Sequence, residues 1–150
     1  MITDILHVGV TVSDLDRSVA FYRDIVGLRD QGELLMEGPA THALFVRPGC
    51  AARVGYLKGG DTLSGPSLEL IQFTTEEPEH QATDLFRTSI SEICFCTEDI
   101  WAEYRRLTAL GVEFLSQPQS FDFTAAGFGK SMAVYFRDPD GNIIELMQPL

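Results

Sequence analysis

The strongest constraint on this chain is that it repeats itself. The stretch ILHVGVTVSDL (5–15) returns as ISEICFCTEDI (90–100), and without a gap His7 lies over Glu92 and Asp14 over Asp99. In the first copy Val8, Val10 and Val12 alternate with His7, Gly9 and Thr11. In the second, Ile93 and Phe95 alternate with Glu92, Cys94 and Cys96, the period of a strand with one apolar face. Each strand leads to an acidic cap and then to apolar residues three or four apart: Leu15, Val19, Tyr22 and Val26 after Asp14, and Ile100, Tyr104 and Leu107 after Asp99. Gly27 and Gly111 are the expected helix stops.

The copies also close alike. SLELIQF (67–73) overlays IIELMQP (143–149), with Glu69 over Glu145 and Gln72 over Gln148. Asp138-Pro139-Asp140-Gly141 separates SMAVYF from NIIELMQ and predicts a hairpin. ARVGYLK and SLELIQF predict the same hairpin around a longer, Gly-rich loop, GGDTLSGP (59–66). Each half therefore reads βαβββ: a first module over 1–74, a polar linker over 75–88 and a second module over 89–150, in a single α+β domain spanning 1–150.

A chain of 150 residues that is 45% hydrophobic can close a core. Its net charge of -11 argues against nucleic acid as a partner, because phosphate attraction needs clustered Lys and Arg. No apolar run reaches the roughly 18 residues of a membrane span, and the first residues lack a signal-peptide pattern. The odd set Cys50, Cys94 and Cys96 suits a reducing compartment, so the expected location is cytoplasmic.

Strand parity places His7, Gly9 and Thr11, and likewise Glu92, Cys94 and Cys96, away from the helices. Glu69 and Glu145 hold equivalent places inside the closing strands. A glutamate inside a strand is unfavourable unless it is paired or bound to something, and a divalent cation is the simplest shared partner for this set. Cys94 and Cys96 read as small thiols beside a cavity, and His42 and His80 as residues of connecting segments. The segment FDFTAAGFGKSM (121–132) reads either as a surface loop or as a flap.

Together HVGVTVSDLDRSVAFYRDIVGL, LELIQF, ALGVEF and YFRDPDGNIIEL resemble the vicinal oxygen chelate superfamily, which includes glyoxalase I, methylmalonyl-CoA epimerase, extradiol dioxygenases and the fosfomycin and bleomycin resistance proteins. The resemblance covers nearly the whole chain. It implies paired βαβββ modules forming a cup-shaped mixed sheet, the glyoxalase/bleomycin resistance/dihydroxybiphenyl dioxygenase fold. It also implies one divalent metal (Mn, Fe, Ni, Zn, Co or Mg) with ligand positions at His7, Glu69, Glu92 and Glu145.

Relatives of the glyoxalase type usually carry His at the third position, so Glu92 is a departure. It makes the set richer in oxygen and disfavours the dioxygenase reading, whose iron site uses two His and one carboxylate. The resemblance further implies a metal-dependent lyase or isomerase/epimerase working through an enediolate, with Glu145 as base and Glu69 returning the proton. Lys130, Phe128 and Thr11 are expected substrate contacts, the partner is a small molecule, and the assembly is a homodimer. The alternatives are a metal-free protein binding an antibiotic-like compound and, third, an extradiol-type dioxygenase.

Overall fold

The computed structural model describes residues 2–60, 65–81 and 83–150, so the core of the expected Gly-rich loop, 61–64, lies outside the described residues. The chain divides into two compact units, Met1–His80 and Gln81–Leu150. Each holds a four-stranded mixed sheet of the same topology, as the α+β reading requires.

In the first unit β1 (His7–Thr11) leads into α1 (Leu15–Ala20), which continues as a π-helical turn over Phe21–Val26; then come β2 (Arg29–Met36), α2 (Pro39–Leu44), β3 (Ala52–Lys58) and β4 (Ser67–Phe73). The order across the sheet is β1-β4-β3-β2. β1 runs parallel to β4, which the helical crossover permits, and the other pairs are antiparallel. The closing strand is therefore an interior strand, bonded on both sides.

Alternation along β4 then divides its side chains. Leu68 and Leu70 are buried with Val12, Leu15 and Tyr22 on the helix side. Gln72 shares that parity: its Oε1 accepts from Leu15 N at 3.1 Å and its Nε2 donates to Ser13 O at 3.1 Å, tying the strand to the helix start. Asp14 Oδ1 accepts from Arg17 N at 3.0 Å as the expected N-cap. Gly55 lets the helix come close, for a Cβ there would stand 3.3 Å from both Leu15 Cδ1 and Val19 Cγ2.

The second unit repeats the plan with β5 (Ile93–Cys96), α3 (Ile100–Ala109), β6 (Gln119–Phe123), β7 (Gly129–Arg137) and β8 (Ile143–Pro149), ordered β5-β8-β7-β6. Asp99 Oδ1 caps α3 through Ala102 N at 2.9 Å, and Gln148 Oε1 accepts from Ile100 N at 3.0 Å. The matched glutamines thus do one job twice: each satisfies an otherwise orphaned amide in the first turn of its helix. The Asp-Pro-Asp-Gly turn is held by Asp138, buried, whose Oδ1 accepts from Asp140 N at 3.0 Å and Asn142 N at 2.8 Å.

β2 is expected only through the βαβββ order, and two further segments differ from the sequence expectation. β2 has no apolar alternation and is exposed along nearly its whole length, so it owes its strand to the ladder with β3. α2 has six residues, too few for a helical period to show, and it carries His42, expected in a connecting segment. The segment 121–132 is a hairpin tip: β6 and β7 flank a single 3₁₀ turn at Thr124–Ala126, in place of the expected loop or flap.

Replacing either glutamine should remove one helix-start hydrogen bond. Gln72→Ala and Gln148→Ala are each expected to lower unfolding free energy by about 1 kcal/mol. Leu15→Ala, which empties fully buried volume, should cost about 2–5 kcal/mol. Urea denaturation followed by circular dichroism checks both.

Candidate functional site

Glu69 sits in the middle of β4 with a neighbour on either side: Gly9 of β1 in register on one, Tyr56 of β3 on the other. Its parity turns it away from α1, to the face that also carries His7 and Thr11. The residue is only 9% exposed. A carboxylate so covered costs several kcal/mol unless a donor reaches it, and one does. The Tyr56 hydroxyl donates a short hydrogen bond to Glu69 Oε1. His7 Nε2 lies 3.4 Å from Glu69 Oε2, and the His7 and Tyr56 rings meet edge to face at 6.2 Å.

Gly9 completes the arrangement by what it lacks: a Cβ there would stand 3.2 Å from Glu69 Oε2. Oε1 is thus engaged by Tyr56, and Oε2 remains beside an imidazole over a glycine. The hydrogen bond to Glu69, with burial and the carboxylate's charge behind it, pushes the Tyr56 hydroxyl up to about 12. Tyr56 therefore stays a neutral donor at physiological pH.

The second unit builds the same ladder with one corner changed. Cys94 of β5 and Tyr135 of β7 flank Glu145 in register, as Gly9 and Tyr56 flank Glu69. Where the first unit has a glycine, the second has a thiol against its glutamate. Cys94 is exposed as a residue and its Sγ lies 3.9 Å from Phe95 O, but partial burial of the sulfur first, and then the neighbouring Glu145, Cys96 and Glu92 carboxyl and thiol groups, push its thiol up to about 12. The Tyr135 hydroxyl is also raised, first by burial and then by Glu145 and Glu92. Glu92 lies one residue ahead of β5, whereas His7 is the first residue of β1.

The expected site residues therefore fall into separate groups. His7, Glu69 and Thr11 share one face of the first sheet. Glu145 belongs to the second sheet, where Glu92 acts electrostatically on the same Cys94 and Tyr135. Lys130 lies in β7, of opposite parity to Tyr135, and its Nζ pairs with Asp122 Oδ2 at 3.2 Å. Phe128 stands at the hairpin tip just ahead of β7 and is 85% exposed.

Sequence reasoning missed Tyr56 and Tyr135. The available signal was the overlay of ARVGYLK on SMAVYFR, in which the tyrosines coincide.

The implied metal can be tested against these donors. Among the described residues no three His, Cys, Asp or Glu side chains gather to hold an ion. A catalytic zinc-type site takes three protein ligands, whereas the first unit offers one imidazole and a carboxylate already bonded to Tyr56. The second offers the carboxylates Glu92 and Glu145 and the thiol of Cys94. Neither unit by itself brings three such donors together among the described residues. Glu69, expected to need a partner inside its strand, has one in Tyr56.

Two four-stranded mixed sheets with a βαβ start and a hairpin close, repeated once, define a class. A model of the Glyoxalase/Bleomycin resistance protein/Dioxygenase superfamily matches residues 4–146. The chain belongs to that superfamily.

It is 27% identical over 96% of its length, and 89% of the other protein, to the "Probable lactoylglutathione lyase" of Vibrio parahaemolyticus. It is 25% identical to the "Uncharacterized protein YwbC" of Bacillus subtilis, covering 95% of this chain and 94% of that one. Among solved structures, a glyoxalase family protein from Bacillus cereus superposes with a TM-score of 0.84 at 20% identity, over 100% of this chain and 96% of the other, a likeness of fold. No helix among the described residues is long and apolar enough to cross a membrane.

The state of Cys94 gives a direct check. In a Cys96→Ser background at pH 8, Cys94 should react with iodoacetamide roughly 10–100-fold more slowly than an ordinary thiol, because its scarce thiolate outweighs the gain in nucleophilicity. Mass-spectrometric time courses read the rate. Reaction at the ordinary rate would mean that burial and the neighbouring carboxylates do not hold the thiol protonated.

Proposed function

We propose that this chain is a glyoxalase-class lyase or isomerase/epimerase that moves a proton on a small oxygenated substrate. Its best-built proton-transfer group is Glu69. The observation that carries this reading is the division of labour on the Glu69 carboxylate: Tyr56 holds Oε1, and Oε2 faces the side left open by Gly9, next to His7. The 27% identity to a protein described as a probable lactoylglutathione lyase supports the same class.

The chemistry follows from those positions. Oε2 takes the proton from a carbon next to a carbonyl, leaving an enediolate and a protonated Glu69. His7 beside it donates to the substrate oxygen on which charge develops, and the neutral Tyr56 keeps the carboxylate aimed. Return of the proton to the neighbouring carbon, with the hydroxyl proton of the first carbon passing to the other oxygen, completes an isomerisation; return to the same carbon from the opposite side is an epimerisation. Glu145, the base expected by resemblance, faces Cys94 where Glu69 faces a glycine, which makes it the second candidate. The proposal keeps a homodimeric, cytoplasmic protein whose partner is a small molecule.

A metal-free protein that binds its ligand without chemistry is the second reading. It is motivated by Glu92, which stands where relatives of the glyoxalase type usually carry His.

A glutathione–methylglyoxal hemithioacetal and an acyl-CoA epimer pair, assayed with and without Mn, Ni, Zn or Mg, separate the two. Glu69→Gln is expected to lower kcat/KM by roughly 10²–10⁴-fold while the protein stays folded. Full activity of Glu69→Gln together with inactive Glu145→Gln would move the base to the second unit. Saturable ligand binding without turnover under any metal loading would favour the binding protein.

A further inference from the structure

Farther along β4, on the face that carries Glu69, the first unit opens into a second feature. Phe73 lies four residues beyond Glu69 with the same parity, roughly 13 Å away at the rise of a strand. There a cleft of about 280 Å³ is bounded by Phe45 and Arg47 on one side and by Phe73 and the chain that follows it on the other. No step of the proton transfer uses it.

Its walls have a definite chemistry. Phe45, which closes α2, and Phe73 meet edge to face with ring centres 5.1 Å apart, and both rings line the cleft. Arg47 lines it too, but its guanidinium is engaged: Nε donates to Glu76 Oε1 at 2.7 Å, and a second, shorter contact joins Nη2 to Oε2. Those two charges cancel. Glu77 and Glu79, also in the lining, make no ion pair among the described residues, so the wall carries two uncompensated negative charges beside two aromatic rings.

The turn that brings Phe45 and Arg47 to one wall is itself unusual. Val46 between them holds φ 54, a left-handed conformation unfavourable for a β-branched residue, and Arg47 N donates to His42 O at 3.0 Å across the turn.

We propose that this cleft binds a small organic monocation, a primary ammonium carried on a flat apolar body about the size of a phenyl group. The apolar body matches the Phe45 and Phe73 rings, whose faces also attract a cation, and the ammonium matches Glu77 and Glu79. An anion is disfavoured because the one guanidinium in the wall is already paired. The volume, just below the roughly 300–1,000 Å³ range of ligand pockets, limits the occupant to fragment size. The chain's net charge of -11 favours approach of a cation. The proposal stands apart from the proton-transfer reading, and either can fail alone.

The test is an amide chemical-shift titration of the full chain with 2-phenylethylamine, its neutral isostere 2-phenylethanol, and Mg²⁺ as a bare cation. Saturable shifts centred on Phe45, Phe73 and residues 76–79 are expected with the amine. The alcohol should bind roughly tenfold more weakly, and added salt should weaken the amine alone. Glu77→Gln/Glu79→Gln should bring the amine down to the affinity of the alcohol, and Phe45→Ala should weaken both. No saturable amine shifts at roughly 10 mM, a limit that covers any affinity of use to a cell, would overturn the proposal. So would equal binding of the alcohol, an unaffected Glu77→Gln/Glu79→Gln variant, or shifts produced by Mg²⁺ as strongly as by the amine.

Discussion

Each half of this protein depends on the placement of its closing strand between the first strand and the hairpin partner. β4 is hydrogen-bonded to β1 on one side and to β3 on the other, and β8 likewise to β5 and β7. An interior strand must satisfy both of its faces. On the helix face a leucine-rich set closes the core and a glutamine caps the helix. On the other face one glutamate is left, and its fate depends on which residues the neighbouring strands bring into register. Because alternation has a period of two, a one-residue slip would exchange these roles: Glu69 would face the core and Gln72 would leave the helix uncapped. The cap, the core and the site are therefore specified by one register.

The repeat also shows how duplicated architecture comes to differ in chemistry. Tyrosines flank both glutamates, at Tyr56 and Tyr135, so that corner is common to the two halves. The other corner is Gly9 in one and Cys94 in the other. A glycine leaves a carboxylate oxygen approachable, whereas a cysteine places a thiol in register beside it. Among the described residues this substitution distinguishes the halves more than His7 against Glu92, the difference most visible in the sequence. The two carboxylates thus have different neighbours: Glu69 an imidazole and a glycine, Glu145 a thiol.

Much of this was legible in the residues. The valine alternation of β1, the aspartate caps, the Asp-Pro-Asp-Gly turn and the matched closing strands are local patterns, and the structure forms each of them. β2 and α2 were not legible. β2 is exposed along nearly its whole length and has no apolar face to announce, and α2 is too short for its period to register. Lys130 could be named but not placed, because its side of the sheet depends on β7 beginning at Gly129 and not several residues later.

By itself the sequence determined that two similar βαβββ modules would form and that His7, Glu69, Glu92 and Glu145 would hold equivalent positions in them, since strand period, helix period and repetition are all carried by near neighbours in the chain. Only the tertiary structure decided what those residues meet. Tyr56 reaches Glu69 across a ladder between strands whose connection spans eight residues, 59–66, and Cys94 reaches Glu145 from about fifty residues away in the chain. The cleft beside Phe73 likewise draws its other wall from the end of α2. Such pairings depend on the register of strands joined by long connections, a property of the packed whole that no short window of sequence contains.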